Sequence, residues 1–156
     1  MRMPPSLAPF GLVLHHDGKW SHEGQPILNR RLREKFDRSV VYLPNLEKYV
    51  VEVGRFRGEI EVEEAAFFVR SVDLLKGKLH ISDGTTVEFD ASSLHWSKFD
   101  GALLCRIERS GSQRSVLARF DHSAHSELLL SISESEEKLT LRVGGALIVL
   151  VGLRNP

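Results

Sequence analysis

The strongest constraint on the fold is a hairpin signal followed closely by a helix signal. Asp17-Gly18 favours a two-residue hairpin turn, because both central residues of a type I′ turn have positive φ. The segments on either side of this dipeptide read as its two strands. Asn29 is a good N-cap, so a short helix is predicted over 30–38. This succession predicts that the chain begins with a β-β-α unit.

The predicted helix carries positive charge on most of its surface. Apolar side chains recur at i, i+4 and i+8 and predict one buried stripe: Leu28, Leu32 and Phe36. Five cations cover the other positions: Arg30, Arg31, Arg33, Lys35 and Arg38. Cations in the first turn oppose the helix macrodipole, which costs about 0.3–1 kcal/mol for each exposed charge. Two explanations are open: contact with an external anionic ligand or protein, or pairing with an acidic strand face formed by Glu59, Glu61 and Glu63.

The rest of the chain reads as short strands with one more helix. Asp121 caps a helix over 122–132, and Gly144-Gly145 turns a closing hairpin over 138–153. The order hairpin, helix, hairpin therefore occurs twice: 11–22, 29–38 and 48–63, then 102–120, 121–132 and 138–153. We predict an α+β fold, mainly antiparallel β with two short helices. It consists of two similar β-β-α-β-β units, an N-terminal unit over 10–65 and a C-terminal β-rich unit with one helix over 66–156.

Composition narrows the possible partners. The 156 residues suffice for one domain or two small subdomains, and 21 basic and 21 acidic residues give zero net charge. This balance argues against non-specific binding to nucleic acid or to an anionic membrane. A single cysteine, Cys105, excludes an intrachain disulfide and fits a reducing compartment. The Pro-rich segment 1–9 reads as a loose arm without a signal peptide, and the apolar run 146–151 is too short to span a membrane. We therefore expect a cytoplasmic protein.

No catalytic, metal or cofactor motif is evident. His122 and His125 lie three residues apart on the second predicted helix, but a zinc site needs three or four convergent ligands. Neither G-x-S-x-G nor a phosphate-binding glycine motif occurs, and Cys105 lies among apolar strand residues. We predict no catalytic residue, no metal ligand and no cofactor. An enzyme that uses Asp121, His122 or His125 is kept as a third hypothesis.

The two tryptophans allow two interpretations. Trp20 lies close to His22, and Trp96 follows His95. An indole at the edge of a core commonly uses its N–H in a hydrogen bond. The other interpretation is that an indole forms the stacking wall of a ligand cleft.

Several segments together resemble the bacterial family of domains of unknown function numbered 1285, over about residues 11–132. They are DGKWSHEGQPI, the L-x-x-x-F helix, EVGRFRGEIEVEEAAFFV and LARFDHSAHSELL. The best-matching residues are Asp17-Gly18, Trp20, Glu23-Gly24, Pro26-Ile27, Ile60, Val62, Glu63, Phe67-Phe68, Ala118-Arg119-Phe120 and Ser123. The resemblance implies an α+β fold with internal duplication, whose second half is superficially similar to a pleckstrin-homology domain. It also implies a cleft between the halves for a nucleotide-like ligand and a role in signal transduction.

Our first hypothesis is a non-enzymatic ligand-binding or sensing protein. An anionic, nucleotide-like molecule would lie in a cleft between the two halves, with an indole for stacking and guanidinium groups for the anion. The predicted ligand-binding residues are Trp20, His22, Glu23, Arg30, Arg31, Arg55 and Arg119. The alternative is a protein–protein interaction or scaffold module without a small ligand, forming a homodimer through edge strands or the C-terminal hairpin.

Overall fold

A computed structural model describes residues 8–109 and 115–153, apart from the side chains of 8–10 and 56. Most of the expected N-terminal arm lies outside these ranges. The chain divides into two compact units, of which the first ends at Ala66 and the second begins at Phe67.

The first unit is a six-stranded sheet with one helix. Its elements are β1 Ala8–Leu14, β2 Trp20–His22, β3 Gln25–Pro26, α1 Arg30–Ser39, β4 Val40–Leu43, β5 Lys48–Val53 and β6 Phe56–Val62. The strands lie in the order β3-β2-β1-β6-β5-β4. All neighbours are antiparallel except β1 and β6, which form a parallel pair.

The second unit contains a six-stranded sheet, a helix and a smaller sheet. Its elements are β7 Phe67–Asp73, β8 Lys78–Ile81, β9 Thr86–Glu88, a 3-10 turn Ala91–Ser93, β10 His95–Trp96, β11 Leu103–Glu108, β12 Ser115–Phe120, α2 His122–Ser131, β13 Ser133–Ser135, β14 Lys138–Val143, β15 Ala146–Val149 and a 3-10 turn Val151–Leu153. The large sheet has the order β10-β11-β12-β7-β8-β9, and the small one β13-β14-β15.

The two large sheets have the same topology. Read from β9, the second sheet is β9-β8-β7-β12-β11-β10, which is the order of the first sheet with every strand number raised by six. Its parallel pair, β7 and β12, corresponds to β1 and β6. The predicted α+β class, with mostly antiparallel strands and an internal duplication, is confirmed. The described ranges contain the two predicted α-helices.

The elements that correspond in the two copies nevertheless differ from the predicted ones. Because α1 follows β3, its counterpart is the element after β9, which is the 3-10 turn Ala91–Ser93. Helix α2 and the small sheet come after the second copy is complete. The matching of segments 29–38 and 121–132 was therefore wrong, since the duplicated strands extend from β1 to β6 and from β7 to β12.

The first hairpin forms where it was predicted but with a longer turn. The His15 N–H donates to the Lys19 carbonyl at 2.8 Å, and the Gly18 N–H donates to the His15 carbonyl at 3.0 Å. Gly18 has a φ of 87°, as expected for a turn that ends on a left-handed residue. This three-residue form replaces the predicted two-residue type I′ turn, and it leaves His16 at the corner of the hairpin.

Helix α1 begins and ends close to its predicted limits but buries less than predicted. The Asn29 side-chain oxygen accepts the Leu32 N–H at 3.1 Å, which confirms the N-cap. No residue of α1 is fully buried, and Leu28, before the helix, is 82% exposed. Leu32 is 41% exposed, so only Phe36 of the predicted stripe packs well into the unit. The expectation of a buried Leu28 was wrong, because the chain has not yet entered the helix at that position.

The second helix and the single cysteine agree with their predictions. Asp121 accepts the Ala124 N–H at 3.0 Å and caps α2, which buries Ala124 and Leu128. Cys105 lies on β11 with 0% of its surface exposed. Burial raises the pKa of the Cys105 thiol to about 12, so the thiol stays protonated and serves as a small core residue.

Candidate functional site

An apolar groove lies between α1 and the sheet of the first unit. It is lined by Leu12, His22, Ile27, Leu32 and Phe36, and its volume is about 290 Å³. Leu12 of β1 and His22 of β2 are register partners, so their side chains project from the same face of the sheet. Leu32 and Phe36 are four residues apart and line the same side of α1. Two elements with fixed geometry therefore build this groove.

Trp20 lies beneath α1 rather than at an open surface. Its indole is 1% exposed and lies 5.3 Å from the Phe36 ring, centroid to centroid. Its Nε1–H donates to an oxygen of Asp37 at 2.8 Å. Of the two interpretations given for the tryptophans, these contacts match the core-edge interpretation for Trp20. The indole positions Phe36, and through it one wall of the groove.

The cations of α1 are arranged in a row beside the groove. At about 100° per residue, Arg31, Lys35 and Arg38 fall on the side of α1 next to the exposed part of Leu32. Arg30 is engaged with Glu34 at 3.0 Å. Among the residues that the structure describes, Arg31, Lys35 and Arg38 have no ion-pair partner, and the first turn of α1 contains no acid. The row therefore presents positive charge to solvent along the edge of an apolar groove.

Arg33 lies on the opposite side of the Leu32–Phe36 stripe from this row. Its Nε is buried and has no hydrogen-bond partner within the described part of the chain. A buried guanidinium nitrogen without an acceptor is destabilising by about 1–3 kcal/mol.

The expected internal partners of α1 are occupied elsewhere. Glu59 pairs with Lys48 at 3.3 Å, and Glu63 contacts His16. Strand alternation places Glu59 and Glu61 on the face of β6 opposite to Val62, whose partner Leu14 pairs in turn with Trp20 beneath α1. Within the described ranges, none of the three glutamates forms an ion pair with α1. Of the two explanations for the cations of α1, internal pairing with this strand face is therefore not the one that the structure has.

The remaining predicted site residues are distributed over several elements. His22 lines the groove, and Glu23 has a φ of 49° in the turn between β2 and β3. Arg31 belongs to the cationic row, whereas Arg30 is held by Glu34. Arg55 is exposed in the turn between β5 and β6. The structure thus places His22 at the groove, Arg31 in the cationic row beside it and Trp20 beneath α1, and it places Glu23 and Arg55 in turns.

Arg119 belongs to the second unit and is already engaged. Its guanidinium donates to both oxygens of Asp100, at 3.2 and 2.9 Å. This bidentate pair holds the pKa of Asp100 below its usual value, chiefly through the hydrogen bonds from Arg119. Binding of another anion by Arg119 would have to displace this carboxylate.

Two of the histidines considered for catalysis lie near Arg119. The His125 ring lies 6.2 Å from the Trp96 ring, centroid to centroid. Burial, and then the charges of His122 and Arg119, lower the pKa of His125. No acid converges with these imidazoles to form a metal site: the described ranges contain no group of three or more His, Cys, Asp or Glu able to hold a metal ion. Neither helix in those ranges is long and apolar enough to cross a membrane.

Sequence reasoning did not identify the apolar part of the groove. Leu32 and Phe36 were assigned to the core, and neither Leu12 nor Ile27 was assigned to a site. A signal was present, because a helix of about ten residues with five cations has little room for a fully buried stripe. A partly exposed stripe beside a cationic row is the pattern that points to a surface site.

Comparison with known proteins reveals likeness at the level of the fold. No protein-family model matches the sequence, and no curated protein matches it. A DUF1285 family protein from Silicibacter pomeroyi DSS-3 superposes with a TM-score of 0.64 and 14% identity, over 95% of this chain and 83% of that protein. A DUF1285 family protein from Shewanella baltica OS155 matches with a TM-score of 0.49 and 12% identity, over 78% of this chain and 91% of that one. The family resemblance predicted from the sequence is thus confirmed in the structure: this chain has the fold of a DUF1285 family protein.

Proposed function

We propose that the groove of the first unit binds, without transforming it, an anionic small molecule with a flat apolar part, of the nucleotide type. The observation that carries the proposal is the groove of about 290 Å³ beside the cationic row of α1. The flat part would lie against Leu32 and Phe36, and the anion would contact Arg31 and Lys35. Such a ligand would cover the apolar groove with its flat part and neutralise the cationic row of α1 with its anionic part.

The size and chemistry of the groove restrict the ligand. Ligand pockets usually have volumes of roughly 300–1,000 Å³, so this groove fits one ring system rather than a dinucleotide. Arginine binds phosphate oxygens in a bidentate manner, and the N-terminal N–H groups of a helix also favour anions. His22 is the polar group on the groove wall, and it can hydrogen-bond an edge of the bound ring. These features favour a mononucleotide over a purely apolar ligand.

The wider role that we propose, in signalling, comes from the resemblance to the family numbered 1285. A cleft between the two halves and a signalling function were expected from the sequence, and both stay predictions. The groove proposed as the binding site requires only residues of the first unit. A site that binds its ligand without transforming it would act as a sensor, by changing the partner contacts of the protein when the ligand is present.

Ligand screening by thermal shift tests this function. With mono-, di- and cyclic nucleotides as probes, a ligand at 100 times its dissociation constant is expected to add about 2.7 kcal/mol of stability. Arg31→Ala and Lys35→Ala should each weaken binding roughly 10- to 100-fold, because a hydrogen bond to a charged group is worth about 1.5–3 kcal/mol. Arg142→Ala, an exposed cation of the second unit, is the matched control and should leave affinity unchanged. Flat melting curves for every nucleotide, or affinity that survives both α1 variants, would refute the proposal.

A second candidate function is self-association through the C-terminal hairpin. Leu147 and Val149 are 58% and 43% exposed and lie on one face of the last strand, and Val151, in the 3-10 turn that follows, is 62% exposed. Segment 143–153 contains no charged side chain, and within the described residues β15 pairs only with β14. An uncharged apolar edge strand favours pairing with another strand. A second copy of β15, antiparallel across a two-fold axis, provides an identical edge.

Sedimentation analysis distinguishes this candidate from a monomeric binding protein. The wild-type chain should sediment increasingly as a dimer as its concentration rises, because association depends on concentration. Val149→Lys should shift the equilibrium to the monomer, since a charge would be buried at the strand edge. Leu75→Lys, at another exposed apolar position, serves as the control and should sediment like the wild type. A wild-type monomer at millimolar concentration would exclude the dimer.

A further inference from the structure

We propose that Ser21, His15 and Glu63 form a nucleophilic relay that gives the first unit a second activity, acyl transfer from small activated carboxylic esters. The three residues come from β2, from the residue after β1 and from the residue after β6. The proposed nucleotide site does not involve them. The proposal is therefore independent of that function.

One hydrogen bond and one ion-pair contact connect the three groups in series. His15 Nε2 lies 2.8 Å from Ser21 Oγ, and His15 Nδ1 lies 3.5 Å from Glu63 Oε2. The two ring nitrogens thus face a hydroxyl on one side and a carboxylate on the other. This is the arrangement in which a carboxylate orients an imidazole and the imidazole activates a serine.

The fold fixes each member of the relay. The Glu63 N–H donates to the Leu14 carbonyl at 3.0 Å, which extends the parallel β1–β6 pairing up to the position beside His15. A second contact comes from His16, whose main-chain N–H donates to Glu63 Oε1 at 3.3 Å and whose ring nitrogen also contacts that oxygen. Glu63 is therefore held by the corner of the hairpin while its other oxygen faces His15.

The charges select the productive tautomer. Hydrogen bonding from His16, with a smaller contribution from His15, lowers the pKa of Glu63, so its carboxyl group is ionised at neutral pH. A carboxylate can only accept hydrogen bonds, so the proton of a neutral His15 ring belongs on Nδ1. Nε2 is then the acceptor for the Ser21 hydroxyl. This is the protonation state in which an imidazole acts as general base toward a serine.

The relay lies on the face of the sheet opposite to the groove. Ser21 pairs with Val13, whereas its neighbour Trp20 pairs with Leu14 and projects beneath α1. The His15 and Glu63 side chains are 37% and 31% exposed, whereas Ser21 is 9% exposed. The imidazole is thus open to solvent, whereas Ser21 is nearly buried, and the proposal is therefore restricted to small acyl groups. Small esters are accordingly the substrate class.

The chemical step balances without any cofactor. Ser21 Oγ would attack the ester carbonyl carbon while its proton passes to His15 Nε2. The bond from that carbon to the leaving oxygen then breaks, and the leaving alcohol takes the proton from Nε2. Water, deprotonated by the same nitrogen, would attack the acyl-serine, release the carboxylic acid and restore the Ser21 hydroxyl.

A second imidazole–hydroxyl pair in the chain provides a matched control. His80 Nδ1 lies 3.1 Å from Thr86 Oγ1 in the second unit. In the described part of the chain, no carboxylate hydrogen-bonds the His80 ring, so this pair lacks the orienting acid. His80→Ala should therefore leave ester hydrolysis unchanged.

Labelling and turnover of the full chain test the relay. A fluorophosphonate reagent is expected to modify the wild-type chain once, at Ser21, as located by peptide mass spectrometry. Release of p-nitrophenol from p-nitrophenyl acetate should fall about 100-fold or more in Ser21→Ala and in His15→Ala, the usual size of a general-base contribution. The Ser21→Ala/His15→Ala double variant should be no slower than either single variant, because members of one relay act as a unit.

Two further measurements separate catalysis from packing. Melting temperatures of the variants check that a loss of turnover is not a loss of folding, and Glu63→Gln should reduce turnover while leaving the Ser21 hydroxyl in place. Absence of labelling, or turnover in Ser21→Ala equal to that of the wild type, would overturn the proposal and leave a structural hydrogen bond. Nucleotide binding should be unaffected in either case.

Discussion

Truncation of Trp20 to alanine is expected to lower the free energy of unfolding by about 3–5 kcal/mol. The indole is the largest of the fully buried side chains, with 1% of its surface exposed. The substitution removes its contact with Phe36 and its hydrogen bond to Asp37, both of which hold α1 on the sheet. The cavity would lie directly beneath a helix that buries none of its own residues completely. Helix α1 should therefore lose much of its order in this variant.

Urea unfolding followed by circular dichroism measures this loss. Trp20→Phe keeps most of the apolar contact and removes the N–H, so it should cost less than Trp20→Ala. Trp96→Ala is the comparison at a half-buried indole, whose Nε1–H donates to the Leu153 carbonyl at a longer 3.4 Å. It should be milder than Trp20→Ala. A Trp20→Ala variant as stable as the wild type would contradict the packing role of the indole.

Local signals in the sequence predicted most of the elements. Asn29 and Asp121 each accept the backbone N–H three residues later, and both helices begin where these caps predict. Glycines also predicted turns correctly, since Gly18, Gly24 and Gly84 all adopt positive φ in turns between strands. Such features depend on a few neighbouring residues, which is why a single sequence reveals them.

Local sequence patterns could not show which elements correspond in the two copies of the duplication. Both α1 and α2 are capped helices between strands, so element order alone made them look equivalent. The equivalence is decided by which strands form the parallel pair in each sheet, β1 with β6 and β7 with β12. Strand pairing over fifty residues leaves no mark on local patterns. The 3-10 turn Ala91–Ser93 therefore could not be recognised as the counterpart of α1 from the sequence.

The candidate site also combines features that the local sequence predicts with features that depend on strand pairing. The cations of α1 and the importance of Trp20 were evident from the sequence, because both are unusual in type and position. The face to which Trp20 projects was not evident, since it depends on the register of β2 against β1. The proposed Ser21–His15–Glu63 relay forms because the parallel pairing of β1 with β6 brings His15 close to Glu63. These two residues are far apart in the sequence, so no short motif predicts the relay.

A second large loss of stability is expected when Asp83 is replaced by alanine. Arg109 Nη2 donates to Asp83 Oδ1 at 3.2 Å and to Thr85 Oγ1 at 2.9 Å, and its guanidinium carbon lies 4.6 Å from the Phe67 ring centroid. The Arg109 and Asp83 side chains are only 10% and 14% exposed. Burial lowers the pKa of Arg109, while the charge of Asp83 opposes this shift.

Removal of the Asp83 carboxylate leaves the Arg109 charge buried without its main partner. Asp83→Ala should therefore lower the free energy of unfolding by about 3–5 kcal/mol, the usual cost of breaking a buried ion pair from one side. It also removes the acceptor of the Thr85 N–H, which shapes the turn before β9. An exposed pair gives the control: Glu88→Ala, which breaks the contact of Glu88 with Lys78, should cost about 0.2–1 kcal/mol.

A double-mutant cycle identifies the origin of the Asp83 effect. Arg109→Met removes the buried charge and keeps much of the apolar stem, so the Asp83→Ala/Arg109→Met double variant should regain part of the stability lost in Asp83→Ala. The cycle compares the unfolding free energies of the wild type, the two single variants and the double variant, measured by urea titration at neutral pH. Strictly additive losses would mean that Asp83 acts only through its turn, whereas a recovery in the double variant assigns the cost to the loss of the Asp83–Arg109 ion pair beside Phe67.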